Sequence, residues 1–392
     1  MTRWEKKALQ VIEKHKFAFA IAIVTILSFA IRICLLDFIS GDMGEFLLPW
    51  YQEIKDAGGL LGLNRRVGNY NIIYQFVIAL LTYLPIDPVW GYKLFSVIFD
   101  YLLAVLVAFI VYDLCKNKEG DRKALFAYTM VLFSPLVIMN SSLWGQCDSI
   151  YTFFCIYAVW AYIKEKRTVS FVLLGVAFAF KLQTLFILPL FVFLYIYKKN
   201  ISIFHFLIMP VILIISSIPG LVMGRGIKEC FRIYISQTYY YKVMWNNYPS
   251  AWCILAVGNT DAFYNLMKLP AIILALVVLG LLIYYWWSNQ VVISKKTIIY
   301  MAFLVCYTCI LFLPAMHERY GFIYEILGIV ITFLIPQTIV LLVGLQLIIL
   351  PLYSQFLFGP LIHLPLLGVV NIMIYILYLF VLNKKICEET TG

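Results

Sequence analysis

Apolar runs long enough to cross a bilayer recur along almost the whole chain, and short clusters of Lys and Arg separate them. A water-soluble domain cannot accommodate this pattern. Of the 392 residues, 64% are hydrophobic and 13% charged, and the mean hydropathy is +0.93, whereas soluble domains carry about 25% charged residues. One globular core cannot hide so much apolar surface, so the pattern predicts an all-α fold, a polytopic transmembrane helical bundle. Disordered, fibrous and disulfide-scaffold classes fall with the soluble one.

The 30 Lys and Arg against 20 Asp and Glu leave a net charge of +10, which in a soluble chain would invite a nucleic-acid partner. Here the excess reads as topology, and no nucleic-acid partner is expected. The clusters Arg3/Lys6/Lys7/Lys14/Lys16, Lys116/Lys118/Arg122/Lys123, Lys164/Lys166/Arg167, Lys198/Lys199, Lys295/Lys296 and Lys384/Lys385 hold eighteen of the 30 basic residues. The positive-inside rule puts them in the cytoplasm, together with both termini. About twelve spans follow, at 17–36, 92–115, 124–140, 150–163, 168–181, 184–198, 201–222, 265–287, 297–314, 320–335, 338–354 and 366–383. The first apolar run is long enough to span and lacks a small-residue cleavage site, so no cleaved signal is expected.

The segment from Asn69 to Leu84 tests that scheme, because a span there would invert everything after it. Its 16 residues make a helix of about 24 Å, short of a bilayer core of about 30 Å. Ile72, Ile73, Phe76, Val77, Leu80, Leu81 and Leu84 form a helical stripe. Met43, Phe46, Leu47, Trp50, Tyr51 and Ile54 form another, with Asp42, Glu45, Gln52 and Asp56 opposite. Both read as interfacial helices. The chain is then a single integral-membrane domain over 1–392, with a first extracytoplasmic loop at 37–91 and a long one at 223–264.

Nearly all the unusual polar residues collect on the outer face. Asp42, in "SGDMGEF", follows Ser40 as a plausible cap and precedes Glu45 by one turn. It is a candidate general base toward an acceptor hydroxyl, or simply an acid favoured by a helix start. "NSSLWGQCDSIY" sets Asn140, Trp144, Gln146 and Asp148 at a turn between two spans, suited to sugar hydroxyls or to an ordinary interhelical turn. Lys181 is the one charge between Val169 and Tyr197, with Gln183 beside it. A charge there needs a partner, a ligand or water, so Lys181 is a phosphate candidate or a snorkelling lysine. "FLPAMHERYGF" places His317, Glu318, Arg319 and Tyr320 between two apolar runs, and the forked guanidinium suits phosphate. Lys93 and Asp100 share a helix face; a buried polar lock is the favoured reading, with Lys93 a weaker phosphate candidate. The loop "YISQTYYYKVMWNNYPSAW" adds aromatics suited to sugar stacking or to an interfacial belt.

Cys155, Cys306 and Cys309 lie in apolar runs and read as small core residues, while Cys230 and Cys253 share one loop, which allows a disulfide without requiring it. No metal-ligand spacing is present, although Asp42, Glu45 and Asp148 could gather a divalent cation if the fold brings them together. With no Walker sequence or nucleotide-binding domain, a donor must be lipid-carried or arrive from outside.

Taken in order, the Asp after the first span, "WGQCDSIYTFF", "LLGVAFAFKLQTLFILPL", "NNYPSAW" and "PAMHERY" resemble the GT-C superfamily of polyprenyl-phosphate-sugar glycosyltransferases over about residues 17–330. The likeness is nearest to bacterial relatives of the mannosyltransferases of GPI-anchor synthesis. It implies a lipid-phosphate sugar donor, inversion at the anomeric carbon and an Asp in the first outer loop as base. Asp42 matches that position, with Glu45 and Asp148 as further catalytic candidates. Lys181, Arg319, His317 and Lys93 become the donor-phosphate candidates, and Gln146, Gln183, Glu318, Tyr320 and Trp144 the substrate-binding ones. The partners implied are a polyprenyl-phosphate-linked sugar, a glycan, lipid or protein acceptor, and membrane lipid; no cofactor is required. Richness in Ile, Phe, Tyr and Lys fits an AT-rich bacterial genome, for which the carrier is undecaprenyl phosphate. A transporter or flippase of lipid-linked sugar is the rival class, but no internal repeat of the kind such proteins show is evident.

Overall fold

The computed structural model describes residues 1–116, 119–237, 239–255, 258–359 and 362–391. Lys118, and three residues of the expected loop 223–264, lie outside them. From the N-terminus, α1 (Arg3–Lys14) starts on a reciprocal cap between Thr2 and Glu5 and leads into α2 (Lys16–Ile33). A π-helical turn, Met43–Leu47, opens α3 (Leu48–Asp56), and α4 (Ile72–Leu81) precedes the long α5 (Pro88–Leu114). Next come α6 (Gly120–Leu132) and the single turn α7 (Pro135–Ile138), followed by a second π-helical turn, Met139–Trp144. After α8 (Asp148–Ile163) and α9 (Arg167–Phe180), a 3-10 turn leads into α10 (Leu188–Lys198). The short α11 (Ile208–Ser216), α12 (Ile218–Val222) and α13 (Glu229–Gln237) complete the first part. The second comprises α14 (Asp261–Ser288), α15 (Lys295–Phe312), α16 (Phe322–Leu334), α17 (Ile339–Phe358) and α18 (Leu364–Thr391).

Among the described residues, six helices are long and apolar enough to cross a membrane: α2, α5, α14, α15, α17 with its leading turn, and α18. The bent α6–α7 pair makes a seventh if counted as one span. The other segments read as spans are apolar helices of 10–17 residues, as is α4. The chain is therefore an all-α, multi-pass membrane protein. α15 is buried over 83% of its apolar window and α2 over 11%; both are hydrophobic all round, and what separates them is that α15 is enclosed by neighbouring helices while α2 faces outward. In the loop helices, Met43, Leu47, Tyr51 and Ile54 are buried as the stripe required. In α4 the stripe is split: Ile72 and Leu81 are buried with Tyr74, Gln75 and Ile78, while Leu80 and Leu84 stay exposed.

Five of the six basic clusters come together at one end of the bundle. Asp113 accepts ion pairs from Lys116 (2.9 Å), Lys164 (2.8 Å) and Lys295 (3.5 Å), Lys198 reaches the carbonyl of Ile293 (3.4 Å), and Thr297 donates to Glu389 near Lys384 and Lys385 (2.9 Å). Lys93 lies near the opposite end of α5, about 30 Å from Asp113 at 1.5 Å per residue, which is the thickness of a bilayer core.

Asp100 is the buried polar lock, but its partner is Arg32 of α2 (3.1 Å), with Ser141 also donating (2.6 Å). Lys93 instead donates to the backbone carbonyls of Leu35 (3.1 Å), Leu36 (2.9 Å) and Phe38. All three ammonium protons are thereby used, which corrects the phosphate reading of Lys93: it ties down the chain leaving α2. All nine cysteines are free thiols, so Cys230 and Cys253 do not pair. Cys306 and Cys309 have the spacing of a CxxC pair, yet both are buried mid-helix in α15 against the carbonyl of Phe186.

Candidate active site

Two π-helical turns meet at the end of the bundle away from the basic clusters. Ser40 caps the first: its hydroxyl accepts from the Met43 N–H (3.2 Å) and donates to the Trp144 carbonyl (2.8 Å), stitching that turn to the second. Gly145, at φ +81°, ends the second turn in the left-handed region, and a Cβ there would run into the side chain of Met43. Single π-turns are frequent at functional sites because the extra residue re-aims side chains. Here they bring Asp42 against "WGQ".

Asp42 Oδ2 accepts from Trp144 Nε1 (2.9 Å) and Gln146 Nε2 (2.7 Å). Among the described residues no donor reaches Oδ1. Trp144 is itself immobilised, stacked on Phe356 (4.4 Å between centroids) and edge-on to Tyr353 (5.3 Å), and Tyr70 donates to Gln146 Oε1 (3.4 Å). The carboxylate is thus oriented by one oxygen and open at the other.

Asp148 is fully buried at the start of α8, where Lys181 Nζ pairs with its Oδ1 while Asn140 Nδ2 (2.9 Å) and Arg319 Nε (3.8 Å) approach its Oδ2. Both oxygens are engaged, so Asp148 is the counter-ion that holds two cations rather than a free base. Lys181 stands in extended backbone where α9 stops, which turns its ammonium inward instead of along a helix. Arg319 lies over the faces of Trp144 (5.4 Å) and Tyr320 (5.7 Å), and its Nε and Nη1 are buried without a hydrogen bond. Those unmet donors fit an anion.

The motif carrying Arg319 is fixed by a two-residue parallel bridge, Trp245–Asn246 against Met316–His317, which docks "NNYPSAW" onto "HERY". Asn246 Nδ2 sits 2.9 Å from His317 Nε2. Burial, with Arg319 and Lys181 close by, holds His317 well below the usual imidazole range. It is a neutral imidazole, not a third cation. Burial pushes Glu318 up to about 7 against the pull of Arg319.

A cavity of about 630 Å³ unites these groups. Asp42, Gln146, Lys181, Gln183, His317 and Arg319 line its polar end, with Tyr320 and Tyr70. Gln183 Oε1 is buried there without a hydrogen-bond partner among the described residues. Trp50 and Tyr239 to Tyr241 add aromatic walls. The other end is apolar, bounded by Leu185, Phe186 and Pro189 on one side and Ile272, Leu276 and Leu279 of α14 on the other. Leu185, Ile272 and Leu276 are 41%, 39% and 62% exposed on the flank of the bundle.

Not every sequence candidate reaches this cavity. Glu45 is exposed on the far side of its helix, and Glu318 and Trp144 are buried behind the wall. Among the described residues no three His, Cys, Asp or Glu side chains gather to hold a metal, which corrects the Asp42, Glu45 and Asp148 grouping. Sequence reasoning missed Arg32 and Lys268, each the single charge inside an apolar run, the signal that did reveal Lys181.

A carboxylate and two cations facing a cavity with an apolar flank form the candidate site of this multi-pass membrane protein. The chain belongs to glycosyltransferase family 87, which it matches over residues 69–314. It is a membrane glycosyltransferase. The matched stretch includes the "WGQCDS" turn, Lys181 and the Asn246 loop, while Asp42 and Arg319 flank it. No curated protein matches the chain.

Proposed function

We propose that the protein transfers a hexose from a polyprenyl-phosphate donor to an extracytoplasmic acceptor, with inversion and with Asp42 as general base. The observation that carries the reading is the pairing, in one cavity, of an oriented carboxylate with an unengaged Oδ1 and an arginine with unmet buried donors. The apolar end between α10 and α14 suits a lipid tail, and the cations suit its phosphate.

In this reading Asp42 Oδ1 accepts the proton of an acceptor hydroxyl as that oxygen bonds to the anomeric carbon. The bond from that carbon to the phosphate oxygen breaks on the opposite face, the electron pair leaves with the phosphate, and Lys181 and Arg319 take up the charge. His317, Gln183 and Tyr320 are uncharged groups for the phosphate or sugar, and Asp148 sets the position of both cations. The acceptor is a wall polysaccharide, teichoic acid, glycolipid or protein. The basic end lies in the cytoplasm with both termini, all twelve apolar segments cross, and α3 and α4 lie at the outer interface. The likeness to mannosyltransferases of GPI-anchor synthesis and a carrier such as undecaprenyl phosphate belong to the same reading.

The test is release of polyprenyl phosphate from a panel of polyprenyl-phosphate hexoses by purified protein with membrane acceptors. Asp42→Asn is expected to lose at least a hundredfold in turnover while still binding donor. Near wild-type turnover by that variant would sink the assignment, and movement of intact donor between leaflets without release would make the protein a flippase.

A further inference from the structure

The two cations at the polar end share one counter-ion, Asp148, but a third cation on the cavity wall has none among the described residues. Lys268 lies two turns into α14 and lines the cavity on the same helical face as Ile272, Ala275, Leu276 and Leu279. Spacings of three and four residues put these side chains in one row, so α14 offers the cavity a single ammonium followed by a strip of hydrocarbon. Among the described residues no carboxylate pairs with Lys268. Its ammonium rests instead over the rings of Tyr239 (5.9 Å) and Tyr264 (5.7 Å). Leu266 and Leu269, on either side in sequence, are 71% and 61% exposed, so this stretch of α14 faces the surroundings of the bundle as well as the cavity. A charge within an apolar helix is costly unless it is paired or reaches water, and two aromatic faces offset only part of that cost.

We infer that Lys268 is an outer phosphate site, at the lateral mouth of the cavity, for the headgroup of a long-chain lipid monophosphate. The lipid chain lies along Ile272, Leu276 and Leu279, and the headgroup is held at the mouth as it passes to and from Lys181 and Arg319. The inference rests on the lipid-donor reading of the cavity, and it extends that reading to the free lipid phosphate that transfer leaves behind. A bulk anionic phospholipid has the same charge chemistry, so the test separates the two sources.

Binding of a polyprenyl monophosphate without sugar is measured on the full-length protein in nanodiscs of neutral phosphatidylcholine. Lys268→Gln is expected to weaken it about tenfold, the loss of one charge-assisted contact, and Lys268→Arg to restore most of it. Lys242→Gln, which removes an exposed charge in the neighbouring loop, controls for net charge and is expected to bind as wild type does. Equal binding by wild type and Lys268→Gln overturns the site while leaving the donor reading intact. A loss seen only as competition from added phosphatidylglycerol also overturns it, assigning Lys268 to bulk lipid. Tight binding that depends on Lys268, with no hexose release from any donor, leaves the site standing and defeats the transferase donor reading. Absence of any binding by wild type overturns both.

Discussion

Asn in place of Asp148 isolates what holds the site together. The carboxylate is fully buried, is paired with Lys181 and stands 3.8 Å from Arg319 Nε. At an effective dielectric of about 20, one such pair at 3.8 Å is worth about 4 kcal/mol of attraction before desolvation is counted. Asp148→Asn keeps the shape and removes the charge, leaving two buried cations facing an amide. Breaking one side of a buried ion pair costs about 3–5 kcal/mol because the partner stays buried and uncompensated. At roughly 2 °C per kcal/mol for a chain of this size, the thermal midpoint in detergent should fall by roughly 6–10 °C. Adding Lys181→Met removes one stranded charge, so the double variant should regain about 1–3 kcal/mol relative to the sum of the singles. Neither variant should regain turnover, since both lack the geometry that presents cations to a departing phosphate. The assay is paired: thermal retention of the monodisperse protein, and hexose release under saturating donor. An Asp148→Asn protein with a wild-type midpoint would refute the counter-ion argument, and a double variant that regains nothing would refute the pairing with Lys181.

Two further outcomes follow from neighbouring groups. Glu318, held neutral up to about 7 by burial against an ordinary value near 4.5, makes the folded state retain a proton that the unfolded chain has released. Stability should therefore fall by about 3 kcal/mol as pH rises from about 4.5 to 7 and level off above, and Glu318→Gln should flatten that slope; parallel midpoint profiles for the two proteins from pH 5 to 8 would rule this out. Trp144→Phe keeps the ring packed on Phe356 and deletes the N–H that orients Asp42. It should lower kcat by roughly 10- to 100-fold, the worth of one hydrogen bond to a charged group, without moving the thermal midpoint or donor affinity; a midpoint shift with unchanged kcat would make Trp144 purely structural.

Much of this protein is legible before it folds. Hydropathy suffices for the helical, multi-pass class, because a bilayer gives the chain few alternatives: backbone groups in hydrocarbon must be satisfied within helices, and charges must stay at the ends. Hence the clusters around Lys116, Lys164 and Lys295 do converge, on Asp113. Asp42, Lys181 and Arg319 were visible for the same reason, as polar residues where apolar ones are the rule. What residues do to one another was not visible. Lys93 and Lys181 look alike in sequence, yet the first is spent on three carbonyls and the second is paired beside a cavity. Asp148 reads as a catalytic acid until two cations are seen to occupy it, and Glu45 as a nearby alternative to Asp42 until the helix turns it outward. The sequence by itself determined a helical, multi-pass membrane protein, since solvent alone imposes that pattern. Only the tertiary structure decided which charges neutralise each other and which remain for a substrate, because that depends on distances of a few ångströms between helices far apart in the chain.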